Sequence, residues 1–134
     1  PFLLACREDT ALIDPERFSL NRITAESVLL LEEGHCLREH ALQACRIDDL
    51  EAVNRFAATS LLTLLAMVDE DLGITFLPEM AVGSSLLAET RIETYPLKRR
   101  AHREIAMVWR KSTSRADEFE ELGRHLCEAI GKAG

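Results

Sequence analysis

Apolar residues in this chain gather into short runs separated by polar turns, and most of the runs are too short for helices. After Pro1, Phe2–Cys6 (FLLAC) is continuous, the pattern of a strand covered on both faces. Ser27–Leu31 (SVLLL) reads the same way. Phe56–Thr59 predicts a short strand, Ile74–Leu77 one that stops at Pro78, and Glu104–Trp109 another buried run. Thr90–Tyr95 alternates apolar with polar and predicts an edge strand.

Helical spacing takes over between these runs. From about His35 to Arg46, residues Leu37, Ala41, Ala44 and Cys45 share roughly one face. Leu61–Leu72 predicts a strongly apolar helix capped by Thr59 or Ser60 and stopped at Gly73. Its Asp69-Glu70-Asp71 end opposes the helix dipole. Arg115–Gly131 predicts a closing helix with Ser114 and Asp117 as capping box. Phe119, Leu122, Leu126, Ala129 and Ile130 form its stripe, with Cys127 bordering it as a core thiol. Shorter features fill the rest: Asp14 caps one or two turns over Pro15–Phe18, and Glu79–Leu87 forms a short helix or loop. Ile47–Arg55 is weakly patterned and reads as loop.

Strands alternating with helices define an α/β fold, a mostly parallel sheet flanked by helices. At 134 residues the chain suits one domain. It contains no internal repeat, low-complexity tract or Gly-rich phosphate loop. The formal charge of −7 argues against a nucleic-acid surface, since the one dense basic patch, Lys98-Arg99-Arg100 with Arg103, is short. No run approaches the length of a membrane span, and the first residues lack the basic lead of a secretory signal. Starting on Pro1 suggests a fragment or processed chain.

The four cysteines contain no C-x-x-C pair, so they read as cytosolic thiols rather than a zinc site or a disulfide framework. Cys36 and Cys45 stand out. Cys36 lies in the first turn of its helix, where unpaired N–H groups and the dipole favour an anion. His35, Arg38 and His40 crowd it, a setting that favours the thiolate, while Glu32, Glu33 and Glu39 oppose. Nine helical residues separate the two cysteines by about 13.5 Å and about 180° around the axis. A disulfide needs Cα atoms within about 7 Å, so the two cannot bond while the helix is intact. Three readings stay open: a redox switch, two ordinary thiols, or a metal pair from Cys36 and His40 that lacks enough ligands to close.

The run EEGHCLREHALQAC (Glu32–Cys45) resembles the redox segment of the hydrogen-peroxide-sensing LysR-type transcription regulators, through GHCLR and the nine-residue step to the second cysteine. RFAATSLLTLLAMVDEDLGITFLPEMAV and REIAMVWRKST resemble the wider family's effector domain, which is periplasmic-binding-protein-like. The resemblance implies a second regulatory subdomain over residues 1–100, carrying the redox helix, then a returning strand and C-terminal helix over 101–134. The family's DNA-binding helix-turn-helix and first subdomain are absent from this chain. By position, Cys36 becomes the peroxide-attacking cysteine and Cys45 the resolving one. His35 and Arg38 shape the thiolate pocket, and Thr59 and Arg103 line or approach it. The chemistry implied is sulfenic acid formation followed by condensation to a disulfide, a cytoplasmic sensor rather than an enzyme. Its partners would be hydrogen peroxide, a thiol reductant of the glutaredoxin or thioredoxin type, and a second copy of itself. DNA would be reached only through the absent domain, with no membrane, metal or cofactor. Glu39 and His40 depart from the family pattern. The alternatives are an effector domain that binds a small molecule and carries incidental cysteines, and a thiol peroxidase, for which no peroxidase motif surrounds Cys36.

Overall fold

The computed structural model describes residues 1–19, 27–47, 53–98 and 101–132. It divides into two units, Pro1–Arg103 and Glu104–Gly134. In the first, strand β1 (Phe2–Arg7) is central, with β2 (Thr75–Pro78) on one side and β3 (Ile92–Pro96) on the other, both antiparallel to it. Parallel pairing enters through isolated bridges of Val28 with Val53 and Ile74, and of Leu31 with Ala58. The α/β class stands, and the sheet is mixed. The mostly parallel sheet expected is not found: the three-stranded sheet is antiparallel, and parallel pairing is confined to the bridges of Val28 and Leu31, with Ser27–Leu31 and Phe56–Thr59 making bridges rather than full strands.

Helices α1 (Cys36–Cys45) and α2 (Leu61–Asp69) pack into two separate apolar clusters. Leu4, Cys6 and Phe76 join Ala41 and Cys45 of α1. Ala5 and Leu77, one step along the same strands, join Leu64, Leu65 and Val68 of α2. Alternate residues of a strand point to opposite faces, so a strand with a helix-bearing cluster on each face must be apolar throughout. That is why FLLAC carries no polar position. The buried hydroxyl of Thr75 is satisfied by donating to Leu29 O at 2.8 Å.

Local signals landed closely in three places. The Asp14 carboxylate accepts from Arg17 N, capping a 3-10 turn over Pro15–Arg17. Ser60 caps α2 by accepting from Thr63 N at 3.2 Å. β3 is an edge strand, as its alternation predicted. Between β2 and β3 lie the one-turn helix α3 (Glu79–Val82) and a second 3-10 turn.

Gly73 has a different role from the helix stop expected of it. α2 ends at Asp69, and the left-handed residue after it is Asp71, at φ 56°. Asp71 holds that conformation because its carboxylate accepts from Thr10 Oγ1 at 2.6 Å and faces Arg7 at 3.7 Å. Asp69 accepts from Arg91 N at 2.7 Å. The acidic helix end is therefore held by neighbouring loops, with no basic residue in its own last turn. Gly73 instead lets two backbones meet: a Cβ there would lie 2.7 Å from Leu29 Cγ and 2.8 Å from Ser27 O. Gly73→Ala is expected to lower unfolding free energy by about 1–3 kcal/mol, read as a lower urea midpoint at unchanged slope.

The second unit holds α4 (Ala116–Lys132). Thr113 rather than Ser114 meets the entering backbone, accepting from Arg115 N at 3.3 Å. Trp109 stacks near Phe119 with centroids 5.8 Å apart. The buried strand expected over Glu104–Trp109 is not formed. Ile105 is 67% and Val108 90% exposed. A strand needs a neighbour to receive its backbone groups, and among the described residues of this unit α4 is the one regular element. Cys127 is likewise exposed rather than a core thiol, since the stacking of Trp109 on Phe119 covers only the start of the helix stripe and Leu126 beside it is 44% exposed. Residues 48–52 of the expected loop and 99–100 of the basic patch lie outside the described residues. Among the described residues no helix is long and apolar enough to cross a membrane.

Candidate functional site

The turn Glu32–Gly34 brings the chain from the sheet edge into α1. His35 N donates to Glu32 O at 3.3 Å, and Gly34 sits at φ +92°, a region closed to most side chains. His35 is the N-cap, with extended backbone and no side-chain cap bond. Cys36 is the first helical residue and is exposed. Its thiol therefore stands at the positive end of a ten-residue helix whose first-turn amides no capping side chain has claimed. Arg38 anchors the other side of this turn by donating from Nη1 to Leu31 O at 3.1 Å. Glu39 is the acidic residue of the first turn.

Cys45 closes the same helix and is 1% exposed, in the cluster with Phe2, Leu4, Cys6 and Phe76. Burial pushes its thiol up to about 12, so in this state it is protonated and unreactive. Cys6 is raised to about 11, first by burial and then by Glu93 and Asp71. All four cysteines are free. α1 is unbroken from Cys36 to Cys45, so the separation expected from the sequence holds. After Cys45 the chain turns at Arg46, a left-handed residue at φ 51° whose N–H meets Gln43 O and Leu42 O.

The remaining predicted site residues divide. Thr59 is exposed and follows Ala58, whose carbonyl accepts from Glu32 N at 3.0 Å, so its loop is tied to the edge that Arg38 anchors. Arg103 donates from Nη2 to Met80 Sδ at 3.4 Å, and its buried Nε has no hydrogen bond. His40, one turn after Cys36, also keeps a buried Nδ1 without a partner. Among the described residues no three His, Cys, Asp or Glu side chains gather as a metal site. An open cleft of about 310 Å³ runs beside the turn, lined by Glu32, Glu33, Arg38, Val53, Asn54, Arg55 and Ala57. Val53 and Asn54 carry neither periodicity nor a motif, so the sequence does not mark them as cleft residues. They are marked by pairing with the buried Val28, Val53 through its bridge and Asn54 N by donating to Val28 O at 2.7 Å.

The sheet carries an apolar cluster on each face, with α1 in one and α2 in the other, and the chain's likeness to known proteins gives this arrangement a family. The LysR substrate binding domain model matches residues 1–130, and the chain belongs to that family. It is 34% identical over 126 residues to the DNA-binding transcriptional dual regulator OxyR of Escherichia coli, covering 94% of this chain and 41% of that protein. It is 41% identical over 105 residues to the HTH-type transcriptional regulator EstR of Acinetobacter baylyi, covering 78% and 35%. The reduced form of the regulatory domain of OxyR2 from Vibrio vulnificus superposes with a TM-score of 0.82 at 41% identity, covering 91% of this chain and 58% of that one. The chain thus spans about two fifths or less of the curated relatives' length.

Proposed function

We propose that this chain is the peroxide-sensing portion of a LysR-type transcription regulator, with Cys36 as the sensing thiol and Cys45 as the resolving one. The observation that carries the reading is α1 itself, which holds one exposed thiol at its positive end and one buried thiol at its other end. In the first step the Cys36 thiolate attacks one peroxide oxygen, the O–O bond breaks, and hydroxide leaves to be protonated to water. The Cys45 sulfur then displaces hydroxide from the sulfenic acid, its own proton completing a second water. That second step requires Cys45 to leave the core. Reduction by a dithiol of the glutaredoxin or thioredoxin type returns both thiols. DNA binding and subunit pairing belong to the longer protein. His35, Arg38, Thr59 and Arg103 are assigned to the pocket in which the first step takes place.

The test is to treat the chain with equimolar hydrogen peroxide and map each cysteine by mass spectrometry. A Cys36–Cys45 disulfide in the parent, absent in Cys36→Ser, supports the sensor. Thiols that stay reduced under excess peroxide overturn it for this chain. The second reading is an effector domain for a small molecule. It draws on the identity to EstR, whose name carries no peroxide, and on the cleft beside Arg38.

A further inference from the structure

We propose that Met80 is a second peroxide-reactive sulfur, paired with Arg103, and that it reacts independently of Cys36. Met80 stands in the one-turn helix α3 directly after β2 and is 63% exposed, open to a small hydroperoxide. The Arg103 guanidinium donates to its sulfur at 3.4 Å. That is an unusual pairing. A guanidinium carries five donors suited to carboxylate or phosphate oxygens, and a thioether is a weak acceptor. Here the same guanidinium also keeps its Nε buried with no acceptor. A buried donor without a partner is costly, so this cation is placed where a stronger acceptor would be stabilised.

Oxidation of Met80 supplies that acceptor. A sulfur lone pair attacks one oxygen of the hydroperoxide, an S–O bond forms, and the O–O bond breaks. The distal oxygen leaves as hydroxide and takes the proton from the oxygen now bonded to sulfur, leaving methionine sulfoxide and water. Sulfur loses two electrons and the peroxide gains them. Arg103 keeps its proton throughout, because a guanidinium does not deprotonate in proteins. Its N–H groups stabilise the negative charge on the leaving oxygen, and afterwards they hold the sulfoxide oxygen. A charge-assisted bond thereby replaces one to neutral sulfur. Oxidation strengthens the contact between α3 and Arg103, and a methionine sulfoxide reductase reverses it.

The chain's three methionines make an internal comparison, with Met67 partly buried and Met107 exposed. The 134-residue chain and N-acetylmethionine amide are mixed with hydrogen peroxide, and sulfoxide formation at each site is followed by peptide mass spectrometry. Met80 is expected to oxidise about tenfold faster than the free amide, the scale of one charge-assisted donor on a leaving oxygen. In Arg103→Gln, checked for fold by circular dichroism, the Met80 rate should fall to that of the free amide while Met107 is unchanged. Should Arg103→Gln fail to fold, the comparison of Met80 with the free amide in the parent decides alone. A Met80 rate equal to or below the free amide, or one unaltered in a folded Arg103→Gln, overturns the proposal. The Met80 rate should be the same in Cys36→Ser, so failure of the cysteine reading leaves this outcome untouched.

Discussion

Under equimolar peroxide, Cys45→Ala is expected to stop at a Cys36 sulfenic acid with α1 intact, while the parent chain loses α1 as its disulfide forms. The reason is distance. The two cysteines are the first and last residues of one unbroken helix, about 13.5 Å apart along its axis and on opposite sides of it. A disulfide brings Cα atoms within about 7 Å, so bond and helix exclude each other. Alanine suits the replacement because Cys45 sits among apolar side chains, where a serine hydroxyl would be buried. Trapping with a carbon nucleophile specific for sulfenic acids counts the arrested species. Far-UV circular dichroism follows the helix. A parent chain that forms the disulfide with its helical signal unchanged would contradict the geometry.

The second large effect is a loss of stability at alkaline pH that belongs to two buried thiols. Cys6 and Cys45 have folded values of about 11 and about 12 against 9.0 for the free thiol. A value raised on folding means the native state favours the protonated form. Its contribution is complete below the unfolded value and is lost as pH rises through the folded one. The window therefore runs from about pH 9 to about pH 12. By pH 11 each thiol should have withdrawn about 2–3 kcal/mol, since one pKa unit is worth about 1.4 kcal/mol. Urea unfolding at pH 8 and near pH 11 measures this. A Cys6→Ala/Cys45→Ala variant should show a flatter alkaline limb, separating the thiols from Tyr95. Tyr95 also titrates high, at about 12, chiefly through its hydrogen bond to Glu93. Equal pH dependence in variant and parent would mean that neither thiol is protected by folding.

Much of the first unit was legible because its signals are local. Asp14-Pro15 and Ser60 carry their caps within three residues, and the run from Cys36 to Cys45 has both a helical period and a motif. What the sequence could not show depends on partners far along the chain. Gly73 reads as a helix stop from its neighbours alone. Its close approach to Leu29 and Ser27 exists only once the sheet is assembled. Glu104–Trp109 has the composition of a buried strand, yet burial needs a second surface, and composition does not say whether the unit supplies one. The contact of Arg103 with Met80 is another of these, because it joins residues 23 apart that no local signal pairs. The thiol pair was readable from spacing as a geometric puzzle. Cys45 was also readable as the inward member from its place on the apolar face, and the packing of α1 on Leu4, Cys6 and Phe76 shows what covers it.

Arg46 ends α1 in a left-handed conformation that costs a residue with a side chain about 1–2 kcal/mol and costs glycine almost nothing. That strain exists only while the helix is folded. In the sensor reading it raises the reduced state alone, tilting the balance towards the disulfide by about fivefold or more, at about 1.4 kcal/mol per factor of ten. The threshold at which such a sensor trips would then be set partly by a residue that touches neither peroxide nor sulfur, and could drift between related proteins while both cysteines stay in place.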